Sequence, residues 1–331
     1  MNEKSTFLDK ATKTWIGVDI GGTKTAVVLS SQPPSTLARI EFPTCPEQGP
    51  ERAINLIKQA IQQVISSSAI DLSTLAGIGV SCGGPLDPVM GVIQSPPNLA
   101  TWVNVPITSI LQCEFFVDCR LENDANAGAV AEHRFGAGRG TRHMIFLTMG
   151  TGLGAGIIAD GRLYRGASEM AGEIGHVGLT SFGPIGYNKV GSVEGWASGG
   201  GMAQVATSEV AAAIKRGEAT ILSGTFHDNE GLTAKDVADA AQQGDELAKQ
   251  IIHSTGIRLG EALAILVDIL NPERIVIGGL AMRLGDSIIG PARLAMQREA
   301  LAPSAAVCQI VPATLGEQIG DIAAICVAMG F

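Results

Sequence analysis

Two carboxylates and one imidazole draw attention because of what surrounds them. Residues 172–179 read GEIGHVGL, with Glu173 and His176 three residues apart among glycines and small apolar side chains. Such a pair can ligate a metal, hold a polar substrate, or be a polar pair satisfied inside a core. A zinc site needs further ligands close by. From 177 to 200 there is no Cys and no second His, and Glu194 is the one acid. The order and spacing also differ from an H-E-x-x-H metalloprotease helix. Residues 121–129 read LENDANAGA and place Asp124 where an apolar strand gives way to a helical pattern. Asp124 there can act as a general base, with Asn123 binding a substrate hydroxyl. Equally, Asn123, Asp124 or Asn126 can simply cap the helix.

Two glycine-rich turns offer a different chemistry. DIGGTKTAVVL and TMGTGLGAGII each put a Gly/Thr turn between apolar strands. Glycine lets backbone N–H groups converge on an anion. Thr23 and Thr151 can add hydroxyl donors, and Asp19 ahead of the first turn can hold Mg²⁺ through water, since hard cations prefer carboxylate oxygen. Each turn alone reads as an ordinary hairpin; the matched pair points to a polyphosphate held from both sides. The second turn also fits the G-x-G-x-x-A dinucleotide fingerprint, which requires a helix to follow. Here Ala155-Gly-Ile-Ile continues with strand character, so that match is set aside.

The elements that must carry these residues follow from periodicity. Residues 15–30 read as a hairpin turned by GGTK. Ala53, Ile54, Ile57, Ala60, Ile61, Val64 and Ile65 form a helical stripe. AGIGVS (76–81) is a buried strand ending in the Gly-Gly-Pro turn 83–85. FFVDCRL (115–121) reads as a strand, and 126–135 as a short helix. A second hairpin covers 144–160. Residues 246–270 form an amphipathic helix on Ile251, Ile252, Leu259, Leu263, Leu266, Val267 and Leu270. RIVIGGL (274–280) is a strand running into a Gly-Gly turn, and 317–329 a last helix of small residues.

Bulk properties bound the rest. The 331 residues exceed one small core, so two domains or one large α/β domain are expected. Hydrophobic content of 46% against 17% charged supports a large core. Net charge is −9 with no Lys/Arg run, and aromatics are 4%; both disfavour nucleic acid and acidic membranes. The six cysteines form no C-x-x-C pair and read as buried hydrophobes in a reducing compartment. MNEKSTFLDKATK lacks the apolar segment of a signal peptide, and no stretch reaches the ~18 to 20 apolar residues of a membrane span. A soluble, cytoplasmic protein is expected.

The order of these pieces resembles the ROK family of sugar kinases and repressors, within the actin-like, hexokinase-like ATPases. The resemblance runs from about Trp15 to the C-terminus. It is carried by DIGGTK (19–24), SCGGPLD (81–87) with SPPNL (95–99), LENDANAGAVAEH (121–133), GTGLGAGII (150–158), GASEMAGEIGHVGL (166–179), GSVEGWASG (191–199) and IVIGG (275–279). It implies an α/β chain of two actin-like (ribonuclease H-like) domains with an interdomain active-site cleft. The smaller would be 1–122 plus 315–331 and the larger 123–314, and the resemblance carries a homodimer. Asp124 would be the catalytic base. Gly84, Asn98, Asn123, Glu173, His176 and Glu194 would bind the sugar. Gly21, Gly22, Thr23 and Lys24 match the first phosphate loop, Thr151 and Gly152 the second, and Gly278 and Gly279 the adenosine-side turn. ATP and Mg²⁺ follow, with a hexose or N-acetylhexosamine as acceptor at its 6-OH.

One departure is plain. The family's usual C-x-C-G-x-x-G-C-x-E would, with its histidine, ligate a structural zinc. Anchored on GSVE (191–194), the three cysteine positions fall on Ile185, Tyr187 and Ser192. A single imidazole cannot hold a tetrahedral structural zinc, so none is expected. The loop GPIGYNKVG (183–191) must then be fixed by its own Pro, Gly and Tyr contacts. Two other functions compete: a sugar-responsive repressor, for which 14 residues ahead of Trp15 are too few to build a helix-turn-helix, and a dinucleotide oxidoreductase, which would need NAD(P) binding.

Overall fold

The computed structural model describes residues 13–68, 70–226 and 231–331. The N-terminal segment judged too polar for a signal peptide lies, but for its last residue, outside the described residues. The chain forms two compact units, Met1–Ala127 with Gln318–Phe331, and Gly128–Glu317.

In the first unit, β1 (Thr14–Ile20) and β2 (Lys24–Ser30) form the expected hairpin and β3 (Ala38–Pro43) extends it. The crossover helix α1 (Pro50–Ser67) buries Ala53, Ile54, Ile57, Ala60, Ile61 and Val64, the stripe read from the sequence, and Ile65 packs at its margin. β4 (Leu75–Cys82) then enters beside β1, and the short hairpin β5 (Leu86–Asp87) and β6 (Val92–Ile93) follows the Gly-Gly-Pro turn.

The predicted strand over 115–121 is displaced. Phe115 ends helix α2 (Ile107–Phe115), Phe116 caps it in the left-handed region at φ 56, and β7 runs over Cys119–Asn123. The β-propensity of Phe-Phe-Val is overridden because Phe115 and Val117 pack on the core from the helix end and the link. Helix α3 (Asp124–Phe135) starts two residues earlier than its periodicity suggests.

The resulting sheet has the order β3-β2-β1-β4-β7, with β1, β4 and β7 parallel. Ile20 lies opposite Cys82, and Cys82 opposite Asn123. Three strand ends that carry motifs are therefore level at one edge, the usual place for a ligand in an open α/β sheet.

The second unit repeats this plan. β8 (Met144–Met149), β9 (Leu153–Ala159) and β10 (Arg162–Tyr164) form an antiparallel run. A small hairpin, β11 (Ile185–Gly186) and β12 (Lys189–Val190), leads into α4 (Val193–Ala197), α5 (Gly199–Arg216) and α6 (Ala234–Gln242). Helix α7 (Glu246–Leu270) buries Ile251, Ile252, Leu259, Leu263, Leu266 and Val267 and ends at Asn271 in the left-handed region. β13 (Arg274–Gly279), α8 (Leu280–Leu284), α9 (Asp286–Glu299), α10 (Ala302–Val307) and β14 (Gln309–Pro312) complete the unit. The sheet order is β10-β9-β8-β13-β14, with β8, β13 and β14 parallel. The two glycine turns thus occupy equivalent corners of equivalent sheets.

The chain returns through Thr314 and Leu315, whose N–H groups donate at 3.0 Å to the fully buried carboxylate of Glu132. Helix α11 (Ile319–Met329) then packs on β1 and β4 of the first unit. A Cβ on Gly79 would lie 2.2 Å from Ala328 N and 2.3 Å from Ala324 O, so only glycine admits the helix at this distance. Among the described residues no helix is long and apolar enough to cross a membrane.

Candidate active site

In the first unit, the turn after β1 closes with Gly21 N–H donating to Lys24 O at 3.0 Å. Thr44, just beyond β3, fastens it: its Oγ1 donates to Gly21 O at 2.7 Å and its N–H to Thr23 O at 3.0 Å. Asn98 lies against the same turn, since a Cβ on Gly22 would come within 2.7 Å of Asn98 Cβ. A Cβ on Gly83 would be 3.9 Å from the Asn98 amide and 3.9 Å from Asp124 Oδ2, and one on Gly84 3.4 Å from Asn123 Nδ2. Gly22, Gly84, Asn98, Asn123 and Asp124 therefore come together, although the first and last lie 102 positions apart.

The LENDANA segment does both things its sequence allows. Asn123 Oδ1 accepts the N–H of Ala125 at 3.0 Å and of Asn126 at 3.3 Å, which is capping geometry for α3. Asp124 Oδ1 takes Ala125 N–H at 2.8 Å, leaving Oδ2 toward the Gly83 turn. Burial raises the Asp124 carboxyl above its ordinary 3.8, with backbone hydrogen bonds opposing it. Glu122, buried behind them, accepts Asn123 N–H and Asn126 Nδ2 at 3.0 Å and fixes the strand-to-helix corner.

Asp19 sits in a crowd of acids. Its carboxyl is pushed up to about 7, first by burial, then by Asp124 and Asp321, with Lys24 and Arg39 pulling the other way. A Cβ on Gly320 would meet Asp19 Oδ2 at 2.2 Å, so the carboxylate rests on the first turn of α11. An ion chain runs beside it: Lys24 Nζ to Glu41 at 3.0 Å, Glu41 to Arg39 at 2.6 Å, and Arg39 Nε to the buried Asp321 at 2.7 Å.

In the second unit, the turn after β8 is held by α4 and α5. Gly199 N–H donates to Gly150 O at 2.8 Å and Gly200 N–H to Thr151 O at 3.0 Å. Glu194 Oε2 accepts Leu153 N–H at 3.1 Å, and a Cβ on Gly152 would stand 2.7 Å from that oxygen. Glu173 precedes and His176 ends a single 3-10 turn, Ile174–His176, rather than both lying on an α-helix. Gly172, at φ 98, presses on β9, where its Cβ would lie 2.0 Å from Ala155 O. Both side chains are exposed. The His176 ring meets Tyr187 edge-on, with centroids 4.8 Å apart, and Lys189 Nζ donates to His176 O at 2.7 Å.

Gly278 and Gly279 end β13 opposite Thr148 and Met149. Gly279 has φ 69 and would clash with Met149 O at 2.3 Å if it carried a Cβ. Strand β9, not a helix, follows the GTGLGA match, which removes the dinucleotide reading of that turn.

Several partners escaped the sequence reading: Thr44, Glu122, the Arg39–Asp321 pair and Lys189. Glu122 alone had a local signal, being inside the motif. The Arg39–Asp321 pair spans 282 positions, beyond any periodicity. Among the described residues no group of three or more His, Cys, Asp or Glu is arranged to hold a metal ion.

Comparison with known proteins gives a consistent picture. The family model described as ROK family matches residues 15–330. A glucokinase of Halalkalibacterium halodurans is 33% identical over 310 residues, 93% of this chain and 92% of that one. The crystal structure of a ROK family glucokinase from Streptomyces griseus in complex with glucose and AMPPNP superposes with a TM-score of 0.79 at 29% identity, covering 96% of this chain and 99% of that one. The Escherichia coli DNA-binding transcriptional dual regulator NagC is 30% identical over 84% of this chain, which spans 66% of the regulator.

Proposed function

The chain belongs to the ROK family and is a sugar kinase, and on that premise we propose that it transfers the γ-phosphoryl group of ATP to the 6-OH of a hexose or N-acetylhexosamine, with Asp124 as general base. The observation that carries this reading is Asp124 itself. Its Oδ1 is anchored on the first turn of α3, its Oδ2 faces the Asn98 amide across Gly83, and burial raises its proton affinity. A carboxylate so tuned is a better base than one in water.

Asp124 takes the hydroxyl proton as the sugar oxygen forms its bond to the γ-phosphorus and the bond to the β-phosphate oxygen breaks, releasing ADP. Gly84, Asn98 and Asn123 line the sugar, and Glu173, His176 and Glu194 grip its ring hydroxyls. The turn Gly21–Lys24 and the turn Thr151–Gly152 offer N–H groups and hydroxyls to the phosphates. Gly278 and Gly279 pass the adenosine, because backbone without Cβ permits close approach. Catalysis in such a transfer rests on positioning and on charge stabilisation.

Asp19 is crowded by Asp124 and Asp321, which Lys24 and Arg39 oppose only in part, and such a place suits a hard divalent cation, so Asp19 would hold Mg²⁺. Bound there, the ion would neutralise charge on the transferring group. The reading includes a cytoplasmic homodimer; sedimentation at the 34.2 kDa of one chain would count against the dimer.

The test is ADP release across a panel of hexoses and N-acetylhexosamines. Asp124→Asn should leave sugar binding intact and lower kcat by at least ~10². Turnover near wild type in that variant would remove Asp124 as the base.

A further inference from the structure

The three positions where the family resemblance calls for cysteine hold Ile185, Tyr187 and Ser192. An aliphatic chain, a phenol and a hydroxyl beside one imidazole do not make the donor set of a structural zinc. A built arrangement stands there instead. Tyr187 and Asn188, at φ 43 and 63, turn the β11–β12 hairpin. Two left-handed residues in succession match the twist of a two-residue hairpin.

The Gln204 side chain brackets Ile185, donating to its O at 2.8 Å and accepting from its N–H at 3.0 Å. Ser192, fully buried, caps α4 by accepting Gly195 N–H at 3.1 Å. Trp196 of α4 donates Nε1 to Thr180 Oγ1 at 2.7 Å, meets Phe182 edge-on at 6.3 Å, and carries the Arg258 guanidinium 4.9 Å over its ring. The Val193 N–H donates to Val177 O at 2.8 Å, tying α4 to the segment just after His176.

This hairpin reaches His176 twice, through the Tyr187 ring and through Lys189 Nζ on the His176 carbonyl. A metal ligand's imidazole is ordinarily oriented by its metal and its hydrogen bonds. Here a ring-on-ring contact and an anchored carbonyl do that work. Ser192 fixes α4 and with it Glu194, so two side chains assigned to the sugar hang on one loop.

We propose that the β11–β12 hairpin is a metal-independent clamp in which Tyr187, standing at a position of a zinc cysteine, is the positioning residue that orients the His176 imidazole toward the sugar. The proposal rests on His176 being a sugar ligand, as read above. Tyr187 touches the imidazole and neither phosphate turn among the contacts described, so its effect belongs to sugar affinity.

The experiment compares Tyr187→Ala and Tyr187→Phe by steady-state kinetics, by NMR of ¹⁵N-labelled histidine, and by thermal unfolding with and without a zinc-selective chelator. Tyr187→Ala should raise the hexose KM about 3- to 10-fold, the scale of one aromatic pair. The ATP KM and kcat should stay within about twofold, and Tyr187→Phe should restore the hexose KM. The His176 ring resonances should move in the Ala variant and not in the Phe variant, and the chelator should leave the melting temperature unchanged. An unmoved His176 resonance or an unchanged hexose KM in Tyr187→Ala would overturn the positioning role. Melting lowered by the chelator with zinc released would overturn the metal-free clamp. If His176→Ala leaves the hexose KM unchanged, the sugar reading of His176 fails instead, and the resonances still decide whether Tyr187 sets the ring.

Discussion

In the first glycine turn the bonds are local: Gly21 closes on Lys24, and Thr44, from the end of the third strand of the same sheet, takes the carbonyls of Gly21 and Thr23. In the second, Gly150 and Thr151 give their carbonyls to the start of α5, while Leu153 N–H goes to Glu194. The two turns match in sequence and in sheet position, but their supports differ in kind. The first is a hairpin fastened by its own sheet and flanked by charges, Asp19, Lys24 and the Arg39–Glu41–Asp321 chain. The second is fastened by a residue assigned to the sugar. Motif similarity therefore reports what a turn can bind, whereas its supports report what the turn is coupled to. A substitution at Glu194 should therefore disturb phosphate binding through the second turn and leave the first alone.

The sharpest way to break that contrast is Glu194. Glu194→Ala removes both the contact proposed for the sugar and the Leu153 anchor, a charge-assisted bond from the N–H of a buried residue. Both the hexose KM and the ATP KM should rise by about 10- to 100-fold, the scale of a hydrogen bond to a charged group. Glu194→Gln keeps an acceptor for Leu153, so it should return the ATP KM toward wild type while the hexose KM stays high. Parallel behaviour of the two variants on ATP would show the second turn to be independent of Glu194.

Asp19 probes the charged surroundings of the first turn. Its folded pKa of about 7 exceeds its ordinary 3.8. Between these values the folded chain holds a proton that the unfolded chain has released. Its stabilising contribution is therefore complete below about pH 4 and is lost as pH rises to about 7. The melting temperature of metal-free Asp19→Asn minus wild type should grow across that window and level off above it. A difference that is flat from pH 4 to 8 would mean Asp19 is not held in an acid-crowded, desolvated place.

A smaller effect is expected at Thr44, the counterpart of Glu194. Thr44→Val removes the partly buried bond to Gly21 O and the buried 2.9 Å bond to Thr25 Oγ1. Stability should fall by about 1–3 kcal/mol, and the ATP KM should rise by a few-fold without change in the hexose KM. A matching rise in hexose KM would erase the difference between the two turns.

Much of this was legible in the chain because it is written in local terms. The stripe of α1, the seam of α7, the two glycine hairpins and the strand-end motif at Asp124 all depend on spacings of a few residues. Physical periods of 2 and 3.6 make such spacings visible. The error at 115–121 was local too: Phe-Phe-Val has strand propensity, but a helix end and a left-handed Phe116 won through packing.

By itself the sequence determined the two-hairpin α/β plan, the order of the motifs and the chemical types brought to each. Tertiary structure alone decided that Asn98 lies on Gly22, that Asn123 both caps α3 and faces Gly84, that Arg39 meets Asp321, and that Tyr187 rests on His176. These are contacts between segments that meet only when sheets close and the last helix returns. Their geometry is set by sheet register and by glycine-sized gaps between helix and strand, which leave no periodic trace along the chain.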